Sequence, residues 1–204
     1  MSFIVSAKPQ IPLIPEGSYP AVCCGLVDIG TQHVNYKDTE KEKKQITVMW
    51  ELVGETIERP DGTSEARAIS KTYTKSLSER SSLYKDLVSW RGREFTAEEL
   101  NAFDLRSVLG APCLLSIVHR KTENGTYANI SGIMRLPRGM EPPKGEREAL
   151  LFDVEDCVPE ELARLPEWLQ KRVRESAEWK AKGLDAGDFV DIGDFTDDDG
   201  ELPF

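Results

Sequence analysis

The stretch RAISKTYTKSLSERSSLYKDLVSW, residues 67–90, changes its hydrophobic period part-way along. Its first ten residues are rich in β-branched and aromatic side chains, a composition typical of a strand. Further along, Leu83, Leu87 and Trp90 are spaced four and then three residues apart, so they share one face of a helix. The stretch therefore predicts a β-strand that leads almost directly into a helix.

Two more strands are predicted before this stretch and two after it. The clearest is Gln45–Val53 (QITVMWELV), in which apolar residues recur at every second position from Ile46 to Leu52. After the first helix, Thr96 and Glu99 have the spacing of a capping box, which predicts a second short helix. The remaining three strands are predicted at Tyr19–Ile29, Cys113–His119 and Thr126–Leu136.

Three strands, helical material and two further strands, in this order, predict a mainly β protein of the OB-fold type. In that fold a five-stranded barrel carries a helical insertion between strands 3 and 4. A small antiparallel sandwich with a helical insertion has the same order of elements and is the alternative. The predicted barrel domain spans residues 17–136, behind an N-terminal arm over residues 1–16.

The last third of the chain differs in composition from the barrel segment. Residues 137–158 begin with a run rich in Pro, Gly and charge, and they predict a linker. Residues 159–183 predict an amphipathic C-terminal helix whose apolar stripe is Leu165, Leu169, Val173 and Ala177. Residues 184–204 predict a disordered acidic tail, because they contain too few apolar residues to form a core.

The net charge of −10 is concentrated at the carboxyl end of the chain. Residues 185–204 contain eight acidic residues and no basic ones, whereas residues 1–136 contain seventeen of each. Because the electric field depends on where charges lie, a neutral body can still present a basic groove to nucleic acid.

Several functional classes lack the sequence features that they require. No apolar run approaches the roughly 18 residues that span a bilayer, and the N-terminus does not resemble a secretion signal. Four cysteines without CxxC spacing predict reduced thiols in a cytoplasmic protein rather than a zinc site. The sequence has no glycine-rich phosphate loop and no clustered catalytic or metal-binding side chains, so we predict no enzyme activity, no cofactor and no membrane partner.

The third predicted strand suggests a binding surface. Alternation places Lys71, Tyr73 and Lys75 on one face, where lysines could contact phosphates and the tyrosine ring could stack under a base. The alternative is that Tyr73 lies in the core and the lysines are solvated. Further candidates for the same groove are Lys43, Lys44, Arg120, Lys121 and Tyr127, with Trp50 as a weak candidate that is better explained as core.

The end of the chain, DFTDDDGELPF, resembles the acidic tails, closed by Pro-Phe, of bacterial and phage single-stranded DNA-binding proteins. Two body segments, YPAVCCGLVDIGTQ and TYANI, are similar to the phage-type family of these proteins. The resemblance implies an OB-fold protein that coats single-stranded DNA without sequence preference in the cytoplasm of a bacterial host. It would serve phage DNA replication, recombination or repair.

The resemblance also implies that the tail recruits DNA-processing enzymes, with Phe204 as the anchor. The residues concerned are Asp197, Asp198, Asp199, Glu201, Leu202, Pro203 and Phe204. An adaptor that binds only proteins and an inhibitor that mimics DNA are the alternative functions, and a homo-oligomer is one assembly that the sequence allows.

Overall fold

The computed structural model describes residues 12–36, 39–58, 62–123 and 125–183. The strands are β1 Gly17–Tyr36, β2 Thr39–Glu58, β3 Ser64–Thr74, β4 Pro112–Thr122, β5 Gly125–Met134 and β6 Leu150–Phe152. The helices are α1 Ser82–Arg91, α2 Ala97–Ala102, α3 Pro159–Leu162, α4 Glu167–Glu175 and α5 Ala177–Ala181, and Leu105–Val108 forms a 3₁₀ turn.

The strands form one sheet in the order β3-β2-β1-β4-β5, and all neighbours in this order are antiparallel. Helical material lies between β3 and β4, as predicted. The short strand β6 pairs in parallel with the middle of β1 and was not predicted. The chain is therefore mainly β, with an antiparallel sheet and few helices.

The predicted closed barrel is not present, because the sheet is open between β3 and β5 in the described residues. Helix α1 lies at this gap. The amide of Arg135, just after β5, donates to the carbonyl of Ser89 in α1 at 3.3 Å. From β3, Nζ of Lys71 lies 3.5 Å from the carbonyl oxygen of Ile130 in β5. A helix and a side chain thus occupy the position where a strand pair would close a barrel.

The long strand β1 changes its partners along its length. Its first six residues pair with β4, whereas residues further on pair with β6. Its register with β2 shifts twice, between Cys23 and Gly25 and between Asp28 and Gly30. Bulges of this kind bend a strand and increase its twist. The bend lets one strand contribute to two different packing surfaces.

The inner surface of the sheet packs against α1. Leu83, Leu87 and Trp90 are all buried there, so the predicted helix face is confirmed. The ring of Trp90 packs on that of Trp50 in β2, with centroids 5.8 Å apart. The cluster also contains the inward-facing residues of β4 and β5, among them Leu115, Ile117 and Ile133.

The opposite face of β1 and β2 is covered by the C-terminal layer, which we define as residues 145–183. The sequence predicted one helix here, but the structure has three, because Pro166 begins α4 anew and Ser176 caps α5. Leu169 and Val173 are fully buried against the sheet, whereas Ala177 is exposed. The predicted stripe therefore ends at the break, and Trp179 of α5 is buried instead.

A buried carboxylate fixes the start of this layer. Glu51 in β2 is only 2% exposed, and its side chain accepts the backbone N–H of Glu146 and that of Arg147, both at 2.8 Å. Gly145 leaves the space for this contact, since a Cβ there would lie 2.9 Å from Oε2 of Glu51. The N–H donors compensate the cost of burying the charge. Residues 145–152, within the predicted linker, are thereby attached to the sheet.

Gly30 permits the close approach of α5 to β1. Its φ of 72° lies in the left-handed region, which favours glycine. A Cβ at this position would lie 2.8 Å from Cβ of Ser176 and closer still to the carboxylate of Glu178. That carboxylate accepts both the backbone N–H and the hydroxyl of Thr31 at 2.7 Å. The glycine thus allows the last helix to be hydrogen-bonded to the sheet.

The four cysteines are free, as predicted, and all four are buried. Burial raises the pKa of Cys23 to about 12 and that of Cys24 to about 11, so both stay protonated at neutral pH. None of the helices in the described ranges has the length and apolar character needed to cross a membrane.

Candidate nucleic-acid interface

Tyr73 lies in the core, so the prediction that its ring stacks under a base is wrong. Its side chain is 2% exposed, and its hydroxyl donates to Oδ2 of Asp86 in α1 at 2.7 Å. Burial, and then the adjacent carboxylate of Asp86, raise the pKa of Tyr73 well above its usual value. The hydroxyl therefore remains protonated and available as a donor. Lys71 and Tyr73 do share one face of β3, as predicted, but that face points toward α1 and the core.

Lys71 shares that inward face and is not part of an open groove. Its Nζ lies 2.8 Å from the same Oδ2 of Asp86. The ammonium also lies 5.3 Å from the centre of the Tyr73 ring. One carboxylate thus holds two of the residues that were predicted to contact DNA, Lys71 and Tyr73. Trp50, the weak candidate, is 1% exposed and belongs to the core.

Lys75 and Lys44 lie next to each other at the border between the sheet and the C-terminal layer. The backbone N–H of Lys75 donates to the carbonyl of Lys44 at 2.8 Å. The ammonium of Lys75 pairs with Asp28, and the hydrogen bond that it donates to this carboxylate raises the pKa of Lys75. Lys44 lies 3.2 Å from Glu155. Both lysines are matched with carboxylates, which reduces the positive field that they present.

Lys43 lies on the arm of the β1–β2 hairpin. It is half-buried and stands opposite Gln32 of β1 in the register. Lys43 therefore lies on the hairpin with β1, and Lys44 lies beside Lys75, so neither forms a groove with Tyr73.

Arg120, Lys121 and Tyr127 are brought together at one end of the β4–β5 ribbon. In the register, Arg120 stands directly opposite Tyr127, and Lys121 stands opposite Thr126. Both cations are exposed and the tyrosine is half-buried. Because Ile117 and Ile130 point into the core, alternation places the Arg120–Tyr127 pair on the outer face of the ribbon.

The outer face of the β4–β5 ribbon remains open to solvent along much of its length. Val118 is 39% exposed and Met134 is 40% exposed. Val118 lies two residues from Arg120 on this face, whereas Met134 lies towards the other end of the ribbon, opposite Leu114. Exposed apolar side chains on a sheet surface are suited to contact unstacked bases. Of the predicted residues, the Arg120–Tyr127 pair is therefore the one placed on an accessible surface with the expected chemistry.

The structure also reveals a cluster that the sequence analysis missed. A cavity of about 750 Å³ lies where the end of α1 meets the start of β4 and the segment after β5. Its charged lining consists of four arginines and one carboxylate, namely Arg91, Arg93, Arg135, Arg138 and Glu99. We call this the arginine cavity. The sequence signal was WRGR at residues 90–93, a run of which only Trp90 entered a prediction, as part of the α1 face.

The wall of the arginine cavity is fixed by hydrogen bonds. Nε1 of Trp90 donates to the carbonyl of Pro112 at 2.9 Å, which joins α1 to β4. Gly92 ends α1 with a φ of 68°, and its amide donates to the carbonyl of Val88. A Cβ on Gly92 would lie 3.1 Å from Cδ of Arg135, so glycine allows the Arg135 side chain to lie across this turn.

Glu99 organises two of the four arginines. It accepts from both terminal nitrogens of Arg93, at 2.6 and 2.9 Å, and from Nη2 of Arg91. The hydrogen bonds from Arg93, followed by that from the backbone of Thr96, lower the pKa of Glu99 to about 2. The same residue completes the predicted capping box of α2, which is confirmed. Glu99 is therefore ionised at neutral pH.

The acidic tail, including Asp197, Asp198, Asp199 and Glu201 to Phe204, lies outside the described residues, as does most of the predicted N-terminal arm. Comparison with models of protein families finds no match for this chain, and comparison with curated proteins finds none either.

Proposed function

We propose that this chain is a non-catalytic single-stranded DNA-binding protein whose body is an OB-type barrel left open between β3 and β5. The strand order, with a helix between β3 and β4 lying at the gap, supports this interpretation. The acidic tail that ends in Leu-Pro-Phe supports the same class.

The observation that carries the proposal is the Arg120–Tyr127 pair on the open face of the β4–β5 ribbon. A tyrosine ring offers a stacking platform to any base, and a guanidinium beside it can contact the adjacent phosphate. Neither contact reads a base edge, so binding would be independent of sequence. A protein that binds in this way would be suited to coat single strands in phage DNA replication, recombination or repair, the role that the resemblance of the tail implies.

The first prediction concerns the aromatic platform. Replacement of Tyr127 by alanine should weaken binding of a fluorescently labelled oligo-dT by about 1–3 kcal/mol, because one base loses its stacking partner. Tyr127→Phe keeps the ring and should retain most of the affinity. Fluorescence anisotropy at a fixed, moderate salt concentration measures both. If the wild-type chain fails to bind oligo-dT, the proposed function is wrong and an adaptor that binds only proteins becomes the better interpretation.

The second prediction concerns the tail. Removal of residues 197–204 deletes four acidic residues, so affinity for single-stranded DNA should stay equal or rise, most clearly at low salt. Removal of Phe204 alone should leave DNA binding nearly unchanged. It should weaken binding to bacterial DNA-processing enzymes by about 1.5–3 kcal/mol, since one buried phenylalanine is lost.

Titration of immobilised wild-type and truncated chains with purified replication and repair enzymes of a bacterial host measures the partner affinity. A truncated protein that loses affinity for DNA would place the tail in the DNA site, contrary to its proposed role as a recruiting segment.

A further inference from the structure

The arginine cavity has the size and charge of an anion-binding site. Its volume of about 750 Å³ is within the range of ligand pockets, roughly 300–1,000 Å³. Glu99 can balance only one of the four guanidinium groups. Arg135 and Arg138 are exposed, and within the described ranges neither forms an ion pair. The cavity therefore presents uncompensated positive charge.

One arginine of the cavity, Arg91, lies against two aromatic rings. The guanidinium of Arg91 stacks 4.3 Å from the centre of the Phe95 ring and 5.2 Å from that of Phe103. Its Nη1 is buried and has no hydrogen-bond partner in the part of the chain that the structure describes. Because Nη1 is buried, Arg91 contributes positive charge to the wall of the cavity and not a donor that an anion can reach.

The arginine cavity and the Arg120–Tyr127 pair lie at opposite ends of the same ribbon. Pro112 at the start of β4 lines the cavity, and Arg120 follows eight residues later. At about 3.4 Å per residue, the two ends are about 27 Å apart along the strand. The outer-face residues between them carry no acidic side chain; they are Leu114, Ser116, Val118, Asn129, Gly132 and Met134.

We propose that the arginine cavity binds the phosphodiester backbone of the same single strand that stacks on Tyr127. This inference rests on the proposed function. Arginine presents a planar fork of donors that matches phosphate. Glu99 occupies the fork of Arg93 and one nitrogen of Arg91, so Arg135 and Arg138 are the two arginines of the lining that offer a fork to a phosphate. The ribbon residues between the two basic ends include no acid, and the nearby carboxylate of Glu16 is held at the edge of β4 by the backbone N–H of His119 at 2.7 Å. Two basic ends about 27 Å apart suit a long polyanion better than a short acidic peptide. The apolar part of the lining, including Val108 and Met140, could accommodate a base.

The test removes the two exposed arginines that have no ion pair. Affinity of full-length Arg135→Ala/Arg138→Ala for oligo-dT is measured over a range of salt concentrations, with an oligomer longer than about 16 nucleotides, the upper end of the range that one OB fold covers. Loss of two phosphate contacts should reduce the slope of log K against log salt by about 1.4, which corresponds to on the order of 25-fold in affinity at 0.1 M salt. Unchanged circular dichroism and melting temperature establish that the variant is folded.

The matched control is Arg164→Ala/Lys171→Ala, which removes two exposed positive charges from the C-terminal layer. It should leave both slope and affinity nearly unchanged. A second variant, Arg135→Lys/Arg138→Lys, keeps the charges but loses the forks, so it should recover most of the slope.

Equal losses in the cavity variant and the control would overturn the inference, because only net charge would then matter. Unaltered DNA binding by the cavity variant would also overturn it. If that variant instead loses binding of a labelled DFTDDDGELPF peptide, the cavity takes the acidic tail. Failure of the wild-type chain to bind oligo-dT would overturn the proposed function itself, and this inference with it.

Discussion

Replacement of Tyr73 by alanine should lower the free energy of unfolding by about 3–5 kcal/mol, the usual cost of truncating a large buried aromatic side chain. The ring is 2% exposed and packs in the cluster beneath α1. The hydroxyl also donates to Asp86, a carboxylate that it shares with Lys71. Loss of Tyr73 therefore leaves a cavity in the core and removes one of two partners of a partly buried charge.

Urea denaturation measures this loss, and Tyr127→Ala is the matched comparison. Both variants remove one tyrosine ring from the sheet, but Tyr127 lies on the outer face. We expect Tyr73→Ala to lose stability while its folded fraction still binds oligo-dT. We expect Tyr127→Ala to lose DNA affinity and little stability. If Tyr73→Ala instead loses DNA affinity and Tyr127→Ala loses stability, then Tyr73 lies on the outer face and Tyr127 in the core, contrary to our assignment.

Tyr73→Phe separates the ring from the hydroxyl. It keeps the packing and removes only the hydrogen bond to Asp86, which as a bond to a charged group is worth about 1.5–3 kcal/mol. A loss of stability in this smaller range would assign the remaining cost of the alanine variant to the missing ring.

The β3 strand illustrates both the reach and the limit of sequence periodicity. Alternation correctly predicted that Ile69, Lys71 and Tyr73 share a face. It did not reveal which face was buried, because lysine is normally exposed. The deciding residue was Asp86, which α1 brings to this face from thirteen residues beyond Tyr73. A partner of that kind is visible only once the helix has been placed on the sheet.

Features that depend on residues close together in the sequence were predicted well, whereas those that depend on residues far apart were missed. The α1 stripe and the Thr96–Glu99 capping box depend on residues three or four positions apart, and both are confirmed. The strand β6 has three residues, and it pairs with β1 more than 120 positions earlier in the chain. Nothing in three residues specifies such a partner.

The arginine cavity was missed because its lining comes from separate parts of the chain. Arg91 is the last residue of α1 and Arg93 follows it, whereas Arg135 and Arg138 follow β5. These pairs approach each other because Ser89 and Arg135 are joined by a backbone hydrogen bond. In the sequence, each pair resembles an ordinary solvated segment. Only the topology makes them one site.

Replacement of Leu169 by aspartate should have the largest effect on stability of the changes considered. The side chain is fully buried between α4 and the outer face of β1 and β2. Loss of a buried leucine alone costs about 2–5 kcal/mol. The aspartate adds the cost of placing a carboxylate among apolar residues, here Val27, Ile29 and Val173. We therefore expect a loss above about 5 kcal/mol, comparable with the whole stability of many domains.

The loss should appear as one cooperative transition at lower temperature or denaturant concentration. Detachment of α4 would expose the apolar side chains of β1 that it covers. It would also remove the hydrogen bond from Nε2 of Gln32 to the carbonyl of Arg172, at 2.9 Å, and the contact of Glu178 with Thr31. Because the sheet and the C-terminal layer share these contacts, we expect them to unfold together.

Leu151→Asp provides the matched control. It introduces the same residue into the same layer, but Leu151 is 54% exposed in β6. An exposed substitution of this kind usually changes stability by less than about 0.5 kcal/mol. Thermal and urea denaturation of both variants, with solution mass measured in parallel, give the comparison. If Leu169→Asp melts like the wild-type chain, α4 does not pack on the sheet. If it unfolds in two separate steps, the C-terminal layer is an independent unit rather than part of one core.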